Sequence, residues 1–270
     1  MPLGNLNPPG HTLPTDHIYF YHHIPGQNPN GLQYDVFAPA DGTIAVISKA
    51  IDDQIFVSAS SVHMYYLDHL VLDSGFAVNQ KVTAGQHLGK TTASGFGIDL
   101  GLMNTDITLP FVTPARYSGN SLHADAPLKY FTEPLKSQLY ALVQGTGVNR
   151  DGQVSFDQAG RLSGGWFHES LSVAESAGAN GWTRHLAFVR DNLDPSKIRI
   201  SVGGTITSAG VFSIADGDPD PSSVTTASGS VTFHVTSTAF GGPSGPMTVT
   251  MVSDTRIRVQ FAGSDQFYVR

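Results

Sequence analysis

The chain of 270 residues contains no cysteine. This absence excludes disulfide bonds, cysteine-based zinc sites and thiol nucleophiles together. Only 14% of the residues are charged, against roughly 25% in an ordinary globular domain. No apolar run approaches the roughly 20 residues that a membrane-spanning helix needs. The first ten residues, MPLGNLNPPG, lack the charged and then apolar pattern of a secretory signal.

Basic residues are also scarce, because 15 Lys and Arg stand against 22 Asp and Glu, for a formal net charge of −7. Without a basic cluster to neutralise phosphates, nucleic acid is disfavoured as a partner. Any metal ion must be held by carboxylates or by some of the 11 histidines. The 29 glycines, 16 prolines and 40% hydrophobic residues are typical of a turn-rich β protein with a buried core.

The order of local patterns predicts two β regions joined by a helix. Residues 1–36 are expected to be loop-like, and short β-type runs from Val36 to about Leu102 predict a compact antiparallel unit. Leucines on one face predict a helix over Glu133–Val143. Seven or so short strands after it predict a small antiparallel barrel or sandwich. We therefore predict a mainly β fold divided into 1–130, a connecting helix at 131–144, and 145–270.

Four segments of the first region stand in a recognisable order: APADGTIAVI (38–47), YYLDHL (65–70), VNQKVTAGQHLGK (78–90) and ASGFGIDLGLMN (93–104). Together they resemble the lysostaphin-type (LytM-like) zinc metallopeptidase family. That family has an Ala-Pro-x-Asp-Gly hairpin, a Tyr-x-His-Leu strand, a Val-x-x-Gly-Gln-x-Leu-Gly hairpin and a final His-x-His strand. The resemblance covers about residues 1–105 and implies a LytM-like antiparallel β-sandwich or barrel.

The resemblance also implies a chemistry. In the family, zinc is held by an early His-x3-Asp element and by the second His of His-x-His, and two further histidines assist a metal-bound water. Zinc with an open coordination position lowers the pKa of that water to near 7. The family's substrates are peptide cross-links of bacterial cell walls. The resemblance thus implies an extracellular or periplasmic metal-dependent endopeptidase that hydrolyses amide bonds of peptidoglycan.

This sequence matches the site only in part. His69 matches the Tyr-x-His-Leu histidine after one inserted residue, and is the residue that the resemblance assigns to catalysis. The early element is GHTLPTDHIYF, in which His11 and Asp16 are five apart and His17 follows directly. Asp99 stands at the position of the ligand histidine. The implied zinc ligands are therefore His11, Asp16 or His17, and Asp99.

The final strand carries the largest departure, because Gly97 stands where the first His of His-x-His is expected. A carboxylate such as Asp99 is an ordinary zinc ligand. Glycine offers no proton donor, and losing one such group commonly costs ~10²–10³ in rate. We therefore expect a divergent member of the family with weak or lost peptidase activity.

Each candidate also has a structural interpretation. His11 and His17 are alternatively loop histidines that satisfy backbone groups, and Asp16 alternatively caps a turn. His69 is alternatively packed in the core. The adjacent pair His22 and His23 lies in a loop-like stretch and is typical of solvated histidines.

Two other functions stay open at this stage. One is a non-catalytic binding or scaffolding protein that keeps the fold. The other is a carrier of a small apolar ligand in the C-terminal barrel, suggested by the Gly-x-Trp pattern that ends at Trp166. The sequence leaves the oligomeric state open.

Overall fold

The computed structural model describes residues 1–22, 31–49, 52–93 and 95–270. It is mainly β, with 40% of the residues in strands and 14% in helices, which confirms the predicted fold class. The strands are β1 His17–Tyr21, β2 Asp35–Phe37, β3 Gly42–Lys49, β4 Asp53–Ser58, β5 His63–Leu72, β6 Lys81–Val82, β7 His87–Thr91, β8 Gly97–Asn104, β9 Gly164–His168, β10 His185–Arg190, β11 Ile198–Val202, β12 Gly210–Ile214, β13 Ser230–Ala239, β14 Gly245–Ser253, β15 Arg256–Phe261 and β16 Ser264–Val269. The α-helices are α1 Gly119–Leu122, α2 Leu135–Leu142 and α3 Val173–Ser176, and 3-10 turns cover Pro114–Arg116, Pro127–Tyr130, Ala179–Arg184, Pro221–Ser223 and Thr226–Ser228.

Packing divides the chain into two compact units. The first unit consists of Met1–Pro2, Asp16–Thr108 and His123–Gln144, and the second consists of Leu3–Thr15, Leu109–Leu122 and Gly145–Arg270. The stretches 3–15 and 109–122 belong to the second unit. The domain boundaries at 130 and 145 stay a prediction.

The first unit is an antiparallel sheet in the order β1-β8-β5-β4-β3-β6, with β7 pairing with both β2 and β5. Strand β1 lies within the region expected to be loop-like, so that expectation is wrong for His17–Tyr21. These five residues pair along their whole length with Gly97–Gly101 of β8. Pairing with a neighbouring strand overrides the weak local signal, as is common for strands.

The second unit is a closed barrel in the order β9 to β16, which makes the predicted "barrel or sandwich" a barrel. Large apolar side chains fill its interior, including Trp166, Phe188, Phe212 and Phe233, each 0% exposed. The interior is therefore a packed core, and the structure adds nothing in favour of the carrier interpretation.

One region of the barrel is held together by Trp166 and Arg270. The guanidinium carbon of Arg270 lies 3.7 Å from the centre of the Trp166 ring, where a cation–π contact is favourable. Both side chains donate hydrogen bonds to the carbonyl oxygen of Leu162, the indole at 2.8 Å and the guanidinium at 3.2 Å. The indole N–H of Trp166 and the terminal nitrogens of Arg270 are thus hydrogen-bonded to the backbone.

Helix α2 confirms the predicted helix to within two residues at either end, but it buries none of its residues. Leu135 is 45% exposed and Leu142 is 75% exposed. Within the described residues, no helix combines the length and the apolar character needed to cross a bilayer.

Candidate functional site

The candidate site lies in the first unit, where β8 runs between β1 and β5. Two cross-strand rows form it. In one row, Asp99 of β8 pairs with Tyr19 of β1 and with Asp68 of β5. In the next row on the same face of the sheet, Gly101 pairs with His17 and with Tyr66. The three strands therefore bring carboxyl, imidazole and phenol groups to one place in the sheet.

Asp99 is at the centre of the site and is only 4% exposed. Its Oδ2 atom lies 3.3 Å from Nε2 of His17 and 3.4 Å from Nε2 of His69. A buried charged group needs such partners, since its transfer out of water is otherwise very unfavourable. One carboxyl oxygen is thus shared between two imidazoles.

His69 reaches Asp99 because the strand that carries it is irregular. Asp68 and His69 of β5 stand opposite a single residue of β4, Gln54, where the register shifts. The residue inserted into the Tyr-x-His-Leu pattern is thus absorbed in a β-bulge. His69 adopts a φ of 64°, which is uncommon for a residue other than glycine. Bulges and such backbone outliers are often found where a side chain must be re-aimed at a functional site.

The second nitrogen of His69 is also occupied. Its Nδ1 lies 2.8 Å from Oδ2 of Asp52, while its backbone N–H donates to Oδ1 of Asp68 at 2.8 Å. The His69 side chain remains 47% exposed. The alternative of a core histidine therefore does not describe its position, which is half in solvent and half against buried Asp99.

His17, Asp16 and Tyr66 form the other half of the site. The Tyr66 hydroxyl donates to Oδ1 of Asp16 at 2.5 Å, and Nδ1 of His17 lies 3.0 Å from the same oxygen. Tyr66 reaches across β8 because Gly101 has no side chain. A Cβ at Gly101 would lie 2.1 Å from the Tyr66 ring, so any larger residue would displace it.

These contacts shift the pKa values in the site. Hydrogen bonding to Asp99 raises the pKa of His69 to about 10, with Asp52 and Asp68 contributing. Burial lowers the pKa of His17, but the hydrogen bond to Asp16 and the charge of Asp99 outweigh it, so the net pKa is raised. Burial raises the pKa of Asp68 and, together with Asp16, that of Tyr66. At neutral pH His69 is therefore an imidazolium and Tyr66 keeps its proton.

Gly97 leaves no room for the side chain that the family resemblance would place there. A Cβ at this position would lie 2.3 Å from the carbonyl oxygen of Phe20 and 3.0 Å from Cα of Tyr21. Those atoms belong to the backbone of β1, which cannot move without disturbing the pairing of β1 with β8. The backbone of β1 therefore excludes a histidine side chain from position 97.

The described residues do not fit a zinc ion. Among them, no group of three or more His, Asp or Glu side chains is placed to hold a metal. Both ring nitrogens of His69 already face carboxylates, with Nδ1 2.8 Å from Oδ2 of Asp52 and Nε2 3.4 Å from Oδ2 of Asp99. Asp16, His17 and Asp99 instead lie within bonding distance of other side chains of the site. Their assignment as ligands stays a prediction.

Three other histidines were considered from the sequence, namely His11, His22 and His23. His11 belongs to the second unit, where its ring centre is 6.2 Å from that of Trp182. His22 is half-buried beside Tyr34, with 4.9 Å between the ring centres. His23 lies outside the described residues.

Sequence reasoning did not single out Tyr66 or Asp52 as site residues. Tyr66 stands inside the quoted YYLDHL segment, and the glycine two residues after Asp99 was the available signal that a ring crosses β8. Asp52 gave no such signal, because its contact with His69 depends on the bulge.

No family model matches the chain, and no curated protein matches it. Some solved structures do. An NMR structure of lysostaphin is 14% identical with a TM-score of 0.33, covering 95% of this chain and 80% of that one. The antimicrobial peptidase lysostaphin from Staphylococcus simulans is 13% identical with a TM-score of 0.27, covering 94% and 88%. A mutant catalytic domain of the prophage-encoded M23 protein EnpA from Enterococcus faecalis is 16% identical with a TM-score of 0.24, covering 33% and 81%.

Proposed function

We propose that the first unit binds peptide, such as the peptide of the bacterial cell wall, and that its peptidase turnover is weak or lost. The observation that carries this proposal is the position of Asp99, whose carboxyl oxygen lies between the imidazoles of His17 and His69. An imidazolium paired with a carboxyl group is a hydrogen-bonding and electrostatic site. It does not supply the activated water that amide hydrolysis requires.

Binding is supported by the accessibility of the site. His69 is half-exposed at the mouth of a buried polar cluster, with its ring held by Asp52 and Asp99. A polar group fixed in this way can recognise a peptide at little entropic cost, since it is already ordered. The motif resemblance over residues 1–105 supports cell-wall peptide as the ligand, and with it a location outside the cytoplasm.

Loss of turnover is supported by Gly97. Its neighbours in β1 leave no space for a side chain, so no proton donor can stand at that position. Removal of a single stabilising donor commonly lowers a rate by ~10²–10³. The protein would then keep the fold of a peptidase and bind peptide, but would hydrolyse it slowly or not at all.

The test is to mix the purified chain with purified peptidoglycan, with and without added zinc. We expect the protein to co-sediment with the peptidoglycan and to release no soluble peptide detectable by mass spectrometry. Asp99→Asn should weaken co-sedimentation, whereas Asp106→Asn, an exposed carboxylate of the same unit, should not. Peptide release by the wild type that Asp99→Ala abolishes would reject the loss of turnover, and failure to co-sediment would reject binding.

A matched experiment addresses Gly97. Introducing the absent histidine as Gly97→His should create no peptidase activity, because a Cβ there meets the backbone of Phe20. It should instead lower the stability of the first unit. An active and stable Gly97→His protein would show that the missing side chain alone explains the lost turnover.

A further inference from the structure

His185, the first residue of β10, is a buried titratable group that the candidate site does not use. It is 4% exposed, and its ring packs edge-on against Phe167 with 5.1 Å between the ring centres. Residues 172–184, called the strap from here on, lie over it and contain α3 and the 3-10 turn Ala179–Arg184. The contact is close, since a Cβ at Gly181 would lie 3.2 Å from Nε2 of His185.

The surroundings of His185 favour its neutral form. Its Nε2 atom is buried and has no hydrogen-bond partner in the described part of the chain. Arg184 adjoins it, and Arg116 donates to Oγ of Ser176 in the strap at 2.8 Å. The carboxylate of Glu175 is engaged by the backbone and hydroxyl of Ser172.

Among the described residues, no carboxylate contributes to the shift in the pKa of His185. Phe167 of β9 is apolar, and the backbone N–H of Gly203, just after β11, donates to the carbonyl oxygen of His185. His11 also lies against the strap, with its ring centre 6.2 Å from that of Trp182. Burial lowers the pKa of His185 to about 4; the backbone of Ser176 acts in the opposite direction, and Arg184 adds to the lowering.

The strap is held less firmly than the barrel beneath it. Most of its residues are exposed, and Ser176 and Gly181 are its buried positions. Besides Arg116, it is anchored by hydrogen bonds from Thr12 to the carbonyl oxygen of Trp182 and from Thr205 to that of Thr183. Segments with few buried contacts open at a much lower free energy than core strands do.

We propose that the strap is an acid-released cover: protonation of His185 lifts residues 172–184 from the side of the barrel and leaves the barrel itself folded. A charge on the buried ring would be repelled by the guanidinium group of Arg184. Opening the strap relieves this repulsion and lets water reach the ring. The part of the barrel surface that includes Phe167 then becomes exposed at low pH.

The direction follows from proton linkage. With the strap closed, His185 has a pKa of about 4. With the strap open, its pKa is near the ordinary histidine value of roughly 6.5. Opening is therefore favoured as the pH falls below roughly 6.5, by about tenfold for each pH unit, until the closed form is itself protonated. Between pH 7.5 and pH 4.5 the open population should rise by about a hundredfold.

Hydrogen exchange of the whole chain, corrected for the intrinsic effect of pH, measures this opening. The strap amides of Ser176, Gly178 and Gly181 donate to carbonyl oxygens within the strap, and turns this short do not persist once they leave the barrel. Their protection should therefore fall by about a hundredfold between pH 7.5 and pH 4.5. The amides of β13 to β15 should keep their protection. Measurements on the wild-type protein alone can overturn the proposal. They would do so if the amides of the strap and the barrel lost protection equally, or if those of the strap lost none.

Three variants test whether His185 is the group whose protonation opens the strap. His185→Gln, which cannot be protonated, should abolish the acid response of the strap. His234→Gln, an exposed histidine of the same unit paired with Asp218, should keep it. His11→Gln should also keep it. A response that survives in His185→Gln, or that disappears in His11→Gln, would contradict the assignment to His185.

Discussion

In the first unit the centre of the sheet is polar, with Asp99, His17 and Tyr66 buried together, whereas the interior of the second unit is formed by apolar side chains such as Trp166 and Phe233. The polar cluster specifies one arrangement, since every member must keep its partners. The apolar barrel contributes stability through area removed from water and through close packing. The first unit has an apolar core as well, in which Ile44, Ile55 and Leu70 are each 0% exposed, but its buried polar cluster is where chemistry is expected.

The largest effect should come from the barrel core. Phe233→Ala removes a fully buried ring and should lower the free energy of unfolding of the second unit by about 3–5 kcal/mol. Both tryptophans, Trp166 and Trp182, lie in this unit, so their fluorescence during denaturant unfolding reports on it alone. A loss below about 1 kcal/mol would mean that the barrel interior relaxes around the missing ring, contrary to its close packing.

The two units should respond to pH in opposite directions. The His185 pKa is lowered to about 4 by burial, so the second unit loses stability as the pH falls from roughly 6.5, by at most about 3 kcal/mol. The His69 pKa is raised to about 10 by Asp99. The contribution of His69 to the stability of the first unit is complete below roughly pH 6.5 and is lost as the pH rises through about 10.

Denaturant unfolding at several pH values checks this contrast, with tryptophan fluorescence for the second unit and NMR signals of Tyr66 for the first. His185→Gln should remove much of the acid loss in the second unit and leave the first unit unchanged. Parallel pH profiles for the two units would contradict the assignment of these histidines.

A smaller loss is expected from the polar cluster. Asp99→Asn removes the charge shared by His17 and His69 and should destabilise the first unit by about 1–3 kcal/mol, as for a buried group that loses its partner. Hydrogen exchange of the β1 and β8 amides measures it, with exposed Asp106→Asn as the matched control. A stability equal to the wild type would show that Asp99 is not the organising group of the site.

The smallest effect is expected on the outer surface of the barrel. Arg258 pairs with Asp265, and both side chains are largely exposed. Exposed pairs contribute little, because water and salt screen them. Arg258→Gln should leave the denaturation midpoint of the second unit unchanged within error at high salt. A clear shift under those conditions would indicate that this pair has a structural role.

The period of the strands and the motif order were enough to predict a mainly β chain with a C-terminal barrel or sandwich and a helix near Leu135–Leu142. Strand β1 was missed, because its five residues follow a stretch rich in Pro, Gly and Asn and gain their conformation from pairing with β8. The packing of 3–15 and 109–122 with the barrel has no local signal, since it depends on contacts distant in sequence.

The geometry of the candidate site was not predictable from the sequence. The extra residue before His69 was visible in the sequence, yet the φ of 64° that it produces, and the contact with Asp52 that follows, depend on the register of β4 against β5. Asp99 lies on an otherwise apolar strand, and a buried charge there needs a partner. That its partners are two imidazoles follows from the three-strand arrangement alone.

The most direct test of this account is an NMR titration of the His69 imidazole in the intact chain, with and without a molar excess of zinc. We predict a pKa of about 10, unchanged by zinc, and a fall toward the ordinary histidine value in Asp99→Asn. A pKa near or below that ordinary value in the wild type, together with a shift of the imidazole signals on adding zinc, would show that His69 is free to ligate a metal. It would contradict the claim that Asp99 holds the site as a hydrogen-bonded cluster.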